Sequence, residues 1–294
     1  AIEGEFTMAV QLTNGMRSGR TQRNFLFLLS LTLSCQCFVG ALAAPAEADK
    51  DSEDISASIF RYKAAIEANP SNPTNRLKLA KAYLMGGELD NAVSEFRAAL
   101  KLNPDDAESF MGLSRAYARK GDIKQACDNI KEAVRLAPNQ SQYHLKYAQL
   151  LPRDNKLDQA IQEFKSAIKL NGKDANAHRD YGACLGLKGD IEGQVLEEKK
   201  ALSLDDKNAD AHFYLGSAYA QQGKKKDAYG ALKRCTELDK KNADAFRLLA
   251  GISASDGDFK EALNFAEMAV SLNPDNKAYV ATRDKIKSKM ASSK

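Results

Sequence analysis

Apolar side chains along most of this 294-residue chain recur in short helical stripes with regular interruptions. In the segment 107–140, a first stripe runs as far as Tyr117 and Gly121 interrupts it. A second stripe runs from Ile123 to Leu136, and Pro138 follows. The spacing within each stripe is that of an α-helix with one apolar side. The segment therefore predicts a helix, a tight turn and a second helix.

The same pattern returns every 34 residues from 73 to 276. One column is always leucine: Leu102, Leu136, Leu170, Leu204, Leu238 and Leu272. Another column is alanine except at Gln194: Ala92, Ala126, Ala160, Ala228 and Ala262. A constant period of this length indicates a stacked solenoid of helix pairs. The predicted units are 73–106, 107–140, 141–174, 175–208, 209–242 and 243–276.

The turn between the two helices of each unit has its own column: Gly87, Gly121, Asn155, Gly189, Gly223 and Gly257. Helices often end in a left-handed residue, a conformation that glycine adopts freely and asparagine tolerates. The column therefore predicts a positive φ at every turn, including the one at Asn155.

These columns resemble the tetratricopeptide repeat. The residues that carry the resemblance are Tyr83, Ala92, Phe96, Ala99 and Pro104 in the first unit, and Leu215, Gly216, Tyr219 and Ala228 in the fifth. The resemblance implies an all-α, right-handed superhelical solenoid of antiparallel helix pairs over 54–294. About six full repeats would follow an N-terminal half repeat and precede a C-terminal capping helix at 277–294. It names no ligand.

Some positions depart from the family pattern. Pro152 falls near the end of a first helix and predicts a shorter helix there. Gln194 and Glu198 replace a core alanine and a core aromatic residue, so the second helix of the fourth unit is predicted to be the loosest. Glu198 either contacts a partner or reflects ordinary drift between repeats. Gly172, Asp206 and Lys240 replace the terminal proline of their units.

The N-terminal region is predicted to be a leader. Residues 1–15 are interpreted as a cloning scar or an upstream extension, and 16–43 have the cationic start, apolar core and small-residue end of a signal peptide. Cleavage after Ala43 would leave a polar linker at 44–53. The predicted location is therefore the periplasm or the cell exterior. The alternative is a membrane anchor at 24–44.

Composition narrows the function classes. The net charge of +4 is too small to indicate nucleic-acid binding, and 28% charged residues suit a helical protein in water. A membrane contact is expected only through this N-terminal segment, and only if it stays uncleaved. Cys127, Cys184 and Cys235 are interpreted as small buried side chains, with redox or disulfide use as the alternative.

No catalytic or metal constellation is predicted. His144, His178 and His212 lie 34 residues apart, one in each unit. Successive first helices pack about 8–10 Å apart, so one zinc ion with ligands at about 2 Å could not join these side chains. We expect structural histidines, no cofactor and no enzyme activity.

The resemblance implies that the first helices line a concave, partner-binding face. Its candidate residues are Lys78, Lys81, Arg115, Arg119, Lys146, Arg179, Phe213 and Tyr214. Glu108 and Asp180 oppose the basic ones. The chaperone-tail clamp of some family members is not expected, because Gly112, Gln142, Asp180 and Tyr214 occupy its positions.

The predicted function is a non-enzymatic scaffold or adaptor that binds a protein or peptide segment. Two alternatives stay open. One is a recognition subunit for an envelope enzyme, and the other is a polymer- or glycan-binding module that uses Phe213 and Tyr214.

Overall fold

The computed structural model describes residues 55–292, so the predicted leader and linker lie outside the described residues. The described part contains fourteen α-helices and no strand. They are α1 (Ile55–Ala68), α2 (Pro73–Met85), α3 (Leu89–Leu102), α4 (Ala107–Lys120), α5 (Ile123–Leu136), α6 (Ser141–Leu150), α7 (Leu157–Leu170), α8 (Ala175–Lys188), α9 (Ile191–Leu204), α10 (Ala209–Gln221), α11 (Lys225–Leu238), α12 (Ala243–Ser255), α13 (Phe259–Leu272) and α14 (Lys277–Ser292). None of these helices is long and apolar enough to span a bilayer.

Local sequence signals begin and end the helices. Asp106 accepts a hydrogen bond from the backbone N–H of Ser109 near the start of α4, and Asp174 accepts one from that of Ala177 near the start of α8. At the turns, Gly121 has φ +82° and Gly189 has φ +87°. Asn155 is the one described non-glycine residue with a positive φ, at 56°. The predicted left-handed turn column is confirmed.

The helices stack in chain order, and each packs against the next. The alanine column lies fully buried where the two helices of a unit meet. The adjacent column fills the space between units with Phe96, Ile130, Phe164 and Leu232, none more than 1% exposed. Small side chains let the helices approach, and large ones fill the remaining gap. An all-α solenoid of helix pairs is thus confirmed.

Pro152 shortens a first helix as predicted. Helix α6 has 10 residues, whereas α4 and α8 each have 14. A 3₁₀ turn, Leu151–Asp154, takes over and ends at Asn155. Proline has no backbone N–H to continue the α-helical hydrogen bonds, which accounts for the change.

The invariant leucine column is not the deepest part of the core. Each of these leucines is the last residue of its second helix, and Leu102 is 42% exposed. An invariant position of the repeat is therefore not necessarily a buried one, because the last residue of a helix has neighbours on fewer sides.

The apolar core of the described residues divides into two clusters. The first extends from Leu79 to Leu185, and the second from Ala228 to Ile286. Helix α9, in the fourth unit, lies between them in the stack. Its buried side chains are Gln194, Glu197, Glu198 and Ala201.

Candidate functional site

The first helices of neighbouring units, α2, α4, α6, α8, α10 and α12, share one face, called here the first-helix face. Side chains bridge successive helices across it. The Lys81 ammonium lies 2.5 Å from Glu108, and the Gln149 amide donates to Asp180 over 2.6 Å. These bridges connect the first helices of successive units along this face.

The basic residues of the first three units lie mostly exposed on this face. Lys78, Arg115 and Lys146 are exposed. Lys78 and Arg115 make no ion pair with another described residue. The Arg119 guanidinium donates to the carbonyl oxygen of Leu84, one unit earlier. The first-helix face therefore has an accessible cationic region at its N-terminal end, called here the basic region.

Arg179 belongs to a different environment. Its guanidinium contacts Asp180 at 2.7 Å and Asp210 at 3.2 Å, and its side chain is only 21% exposed. Burial lowers the pKa of Arg179, but the charges of Asp180 and Asp210 outweigh that effect, so the net direction is upward. This charge cluster, Arg179 with Asp180 and Asp210, has one more carboxylate than cations. Arg179 therefore adds no net positive charge to the face.

Phe213 and Tyr214 lie next to the charge cluster on α10. Their rings meet edge to face with centroids 5.4 Å apart, and both residues are half-buried. Burial raises the pKa of Tyr214, and Asp210 raises it further. The two rings form a partly exposed aromatic surface with an uncharged phenol.

The histidines repeat one structural contact. His144 Nδ1 lies 2.7 Å from Glu163, and His178 Nδ1 lies 2.7 Å from Glu197. In each of the three, Nε2 donates to a backbone carbonyl six residues earlier. Their 34-residue spacing thus reflects a repeated helix-to-loop contact. Among residues 55–292 no cluster of three His, Cys, Asp or Glu side chains could hold a metal ion.

The three described cysteines are buried and unpaired. Burial raises the pKa of the thiols of Cys127, to about 11, and of Cys184 and Cys235, each to about 12. A thiol of this kind is a poor nucleophile because little of it is ionised at neutral pH. Their burial matches the interpretation as packing residues.

The departures in the fourth unit are compensated by glycines on the facing helix. A Cβ on Gly182 would lie 2.6 Å from a Glu198 carboxylate oxygen, and a Cβ on Gly186 would lie 2.3 Å from the Gln194 amide oxygen. Two polar side chains thus occupy positions that hold an alanine and a large apolar residue in the first, second, third and fifth units. Helix α9 keeps the 14-residue length of its equivalents. We call Gln194 and Glu198 the polar layer.

Sequence reasoning missed Asp210 and Gln149 as members of this face. Both make contacts across 31 residues, Arg179 with Asp210 and Gln149 with Asp180. That separation is slightly less than the period, because the bond reaches back about one turn along the neighbouring helix. A search for complementary charges at this offset would have found Asp210.

Sequence models of the tetratricopeptide repeat match this chain at residues 46–107, 77–141 and 209–242. The matched residues include members of each column described above, among them Gly87, Ala92 and Leu102. No curated protein sequence shows a significant match to the chain.

Solved structures with a similar fold are numerous. YrrB, described as a tetratricopeptide repeat protein with an unusual peptide-binding site, is 22% identical with a TM-score of 0.56, over 63% of this chain and 95% of YrrB. PilF of Pseudomonas aeruginosa is 15% identical with a TM-score of 0.64, over 76% and 99% of the two chains. PilW, a type IV pilus biogenesis factor, is 18% identical with a TM-score of 0.63, over 71% and 97%. At these identities the likeness establishes the fold alone.

Proposed function

Because the chain belongs to the tetratricopeptide repeat family, we propose that it is a non-enzymatic scaffold whose first-helix face binds a segment of a partner protein. The observation that carries this proposal is the exposed basic region, with Lys78 and Arg115 unpaired among the described residues. The likeness to YrrB, described as having a peptide-binding site, supports a peptide as the kind of ligand.

The partner segment is proposed to be acidic at one end and apolar at the other. Lys78, Arg115 and Lys146 would attract carboxylates, and Phe213 with Tyr214 would hold an apolar side chain. The charge cluster between them repels a second acidic group. A segment with separated acidic and apolar parts therefore suits the face better than a uniformly acidic one.

We further propose that the protein acts in the cell envelope after export. This rests on the signal-like pattern of residues 16–43. PilF and PilW have similar folds, and PilW is described as a pilus biogenesis factor, which agrees with a role in envelope assembly.

The test is a comparison of two double variants in affinity capture from an envelope fraction. Lys78→Glu with Arg115→Glu reverses two charges on the first-helix face. Lys131→Glu with Lys165→Glu reverses two exposed charges on the second helices α5 and α7 and serves as the control. We expect a specific protein partner that only the first pair loses, and that high salt releases.

The other outcomes separate the alternatives. A captured enzyme would favour a recognition subunit, and a captured polymer without protein would favour the glycan-binding alternative. Equal capture by the wild type and by the first pair at low salt would remove the basic region from the proposed site.

A further inference from the structure

Glu198 is an ionisable group in an unusual position. It is 0% exposed, and neither carboxylate oxygen has a hydrogen-bond partner among the described residues. The amide oxygen of Gln194, also buried, lacks such a partner too. A carboxylate anion buried without donors is strongly unfavourable, so this site favours the protonated acid.

Charged groups on the neighbouring helices do not relieve this. Arg179 and Asp180 face Glu198 from α8, Asp210 and Tyr214 face it from α10, and Glu197 lies beside it on α9. Burial raises the pKa of Glu198 well above its usual value. Arg179 opposes the shift, while the three carboxylates add to it. Arg179 already binds two of those carboxylates and makes no contact with Glu198.

Glu198 lies between the two apolar clusters of the stack, so its protonation state bears on how firmly they are held together. The first apolar cluster ends at Leu185, and the second begins at Ala228. Between them, α9 meets its neighbours with the polar layer, where the first, second, third and fifth units place an alanine and a large apolar side chain. At this point of the stack, the polar layer buries less apolar side-chain surface than alanine and a large apolar side chain would, so apolar burial stabilises the closed form less here.

We propose that Glu198 makes the fourth unit a proton-dependent hinge, in which the two apolar clusters stay in one stack while Glu198 is protonated and separate transiently when it ionises. Hydration of the carboxylate in the open form provides the driving force, because the anion cannot be hydrated in the closed form.

The direction of the pH dependence follows from linkage. In the open form the carboxyl regains its ordinary pKa, whereas in the closed form the pKa is raised. Above the ordinary value, the open form gives up its proton more readily. Opening therefore increases with pH, by up to about tenfold per pH unit, until the closed-form pKa is reached.

A thiol beside Glu198 reports this opening, and Ala201 offers the place for one: it lies three residues after Glu198 on α9, is fully buried, and is equivalent to Cys235 of the fifth unit. Ala201→Cys is therefore introduced as the reporter into the wild type and into each variant, and the buried thiols of Cys127 in the second unit and Cys235 in the fifth serve as internal references. The full-length protein is treated with N-ethylmaleimide between pH 5 and pH 8, and labelling at each cysteine is followed by peptide mass spectrometry. The ratio of labelling at position 201 to labelling at Cys127 cancels the intrinsic pH dependence of the thiol reaction.

In the wild type we expect this ratio to rise at least tenfold from pH 5 to pH 8, while the ratio of Cys235 to Cys127 stays constant. Glu198→Gln keeps the side-chain shape without a titrating group, and Glu198→Leu restores an apolar filling. Both variants should remove the rise. Far-UV circular dichroism establishes that both are folded.

Glu192→Gln is the matched control, an exposed carboxyl on the same helix α9. It should keep the wild-type rise, because its carboxylate is hydrated in both forms. A wild-type ratio that stays within twofold from pH 5 to pH 8 would overturn the hinge, as would a rise that persists in folded Glu198→Gln. Neither result depends on a binding partner, so the test is separate from that of the proposed function.

Discussion

The third and fourth units fill the same core position with opposite kinds of side chain. Phe164 fills the gap beside α7 in the third unit, and Glu198 occupies the equivalent position on α9, both almost fully buried. Where the third unit has Ala148, the fourth has Gly182, which makes room for the carboxyl. A solenoid therefore tolerates a buried polar side chain where the facing helix leaves matching space.

The largest loss of stability is expected when the acid of the fourth unit is placed at the equivalent position of the third. Phe164→Glu should lower the free energy of unfolding by about 4 kcal/mol or more, because it removes a large apolar side chain from the core and buries a carboxyl among apolar neighbours. Urea denaturation followed by circular dichroism measures the loss. Phe164→Leu, as the control, should have a clearly smaller effect. A Phe164→Glu variant as stable as the control would show that the matching glycine is unnecessary.

The glycines themselves offer a finer test. A Cβ on Gly112 would lie 2.2 Å from the Phe96 ring, which cannot move aside. Gly112→Ala should therefore destabilise the protein by about 1–3 kcal/mol. Gly182→Ala should have a smaller effect, because it meets the flexible end of Glu198 and gains helix propensity. Equal shifts in urea midpoint for the two variants would mean that the Glu198 carboxyl is as immobile as the ring.

The turn column tests whether the fourth unit differs from the others in its backbone rather than in its core. Gly121 and Gly189 have similar positive φ values, and a Cβ would meet no other atom within 4 Å at either. Alanine at each should destabilise by roughly 1 kcal/mol, through backbone strain alone. Asn155→Gly should be neutral or slightly stabilising. Thermal melts compare the three, and a much larger loss at Gly189 would place the weakness of the fourth unit in its turn.

The smallest effects are expected at the surface. Lys120 and Lys188 occupy equivalent positions, and each pairs with an aspartate of the preceding unit. The partner of Lys120 is Asp90, and that of Lys188 is Asp158. These pairs are exposed, and water and salt screen them. Asp90→Asn and Asp158→Asn should each shift the urea midpoint little, and less at high salt. A large shift for Asp158→Asn alone would mean that a surface pair, not the polar layer, distinguishes the fourth unit.

Sequence reasoning predicted several features of the first helices because a period places equivalent residues on equivalent surfaces. Lys78 and Arg115 lie exposed on the first-helix face, and Pro152 shortens α6 as expected. It did not predict that Arg179 would be held between two carboxylates. Asp210 reaches Arg179 from the next unit, and that contact depends on how far neighbouring helices slide along each other.

By itself the sequence determined the helix pairs, their turns and their order, because these depend on local spacing, caps and left-handed glycines. Only the tertiary structure decided which repeated positions are deep. The invariant leucines end their helices partly exposed, whereas Glu198, a break in the repeat, lies fully buried opposite Gly182. Burial depends on what the facing helix presents at that point, and no single unit of the repeat contains that information.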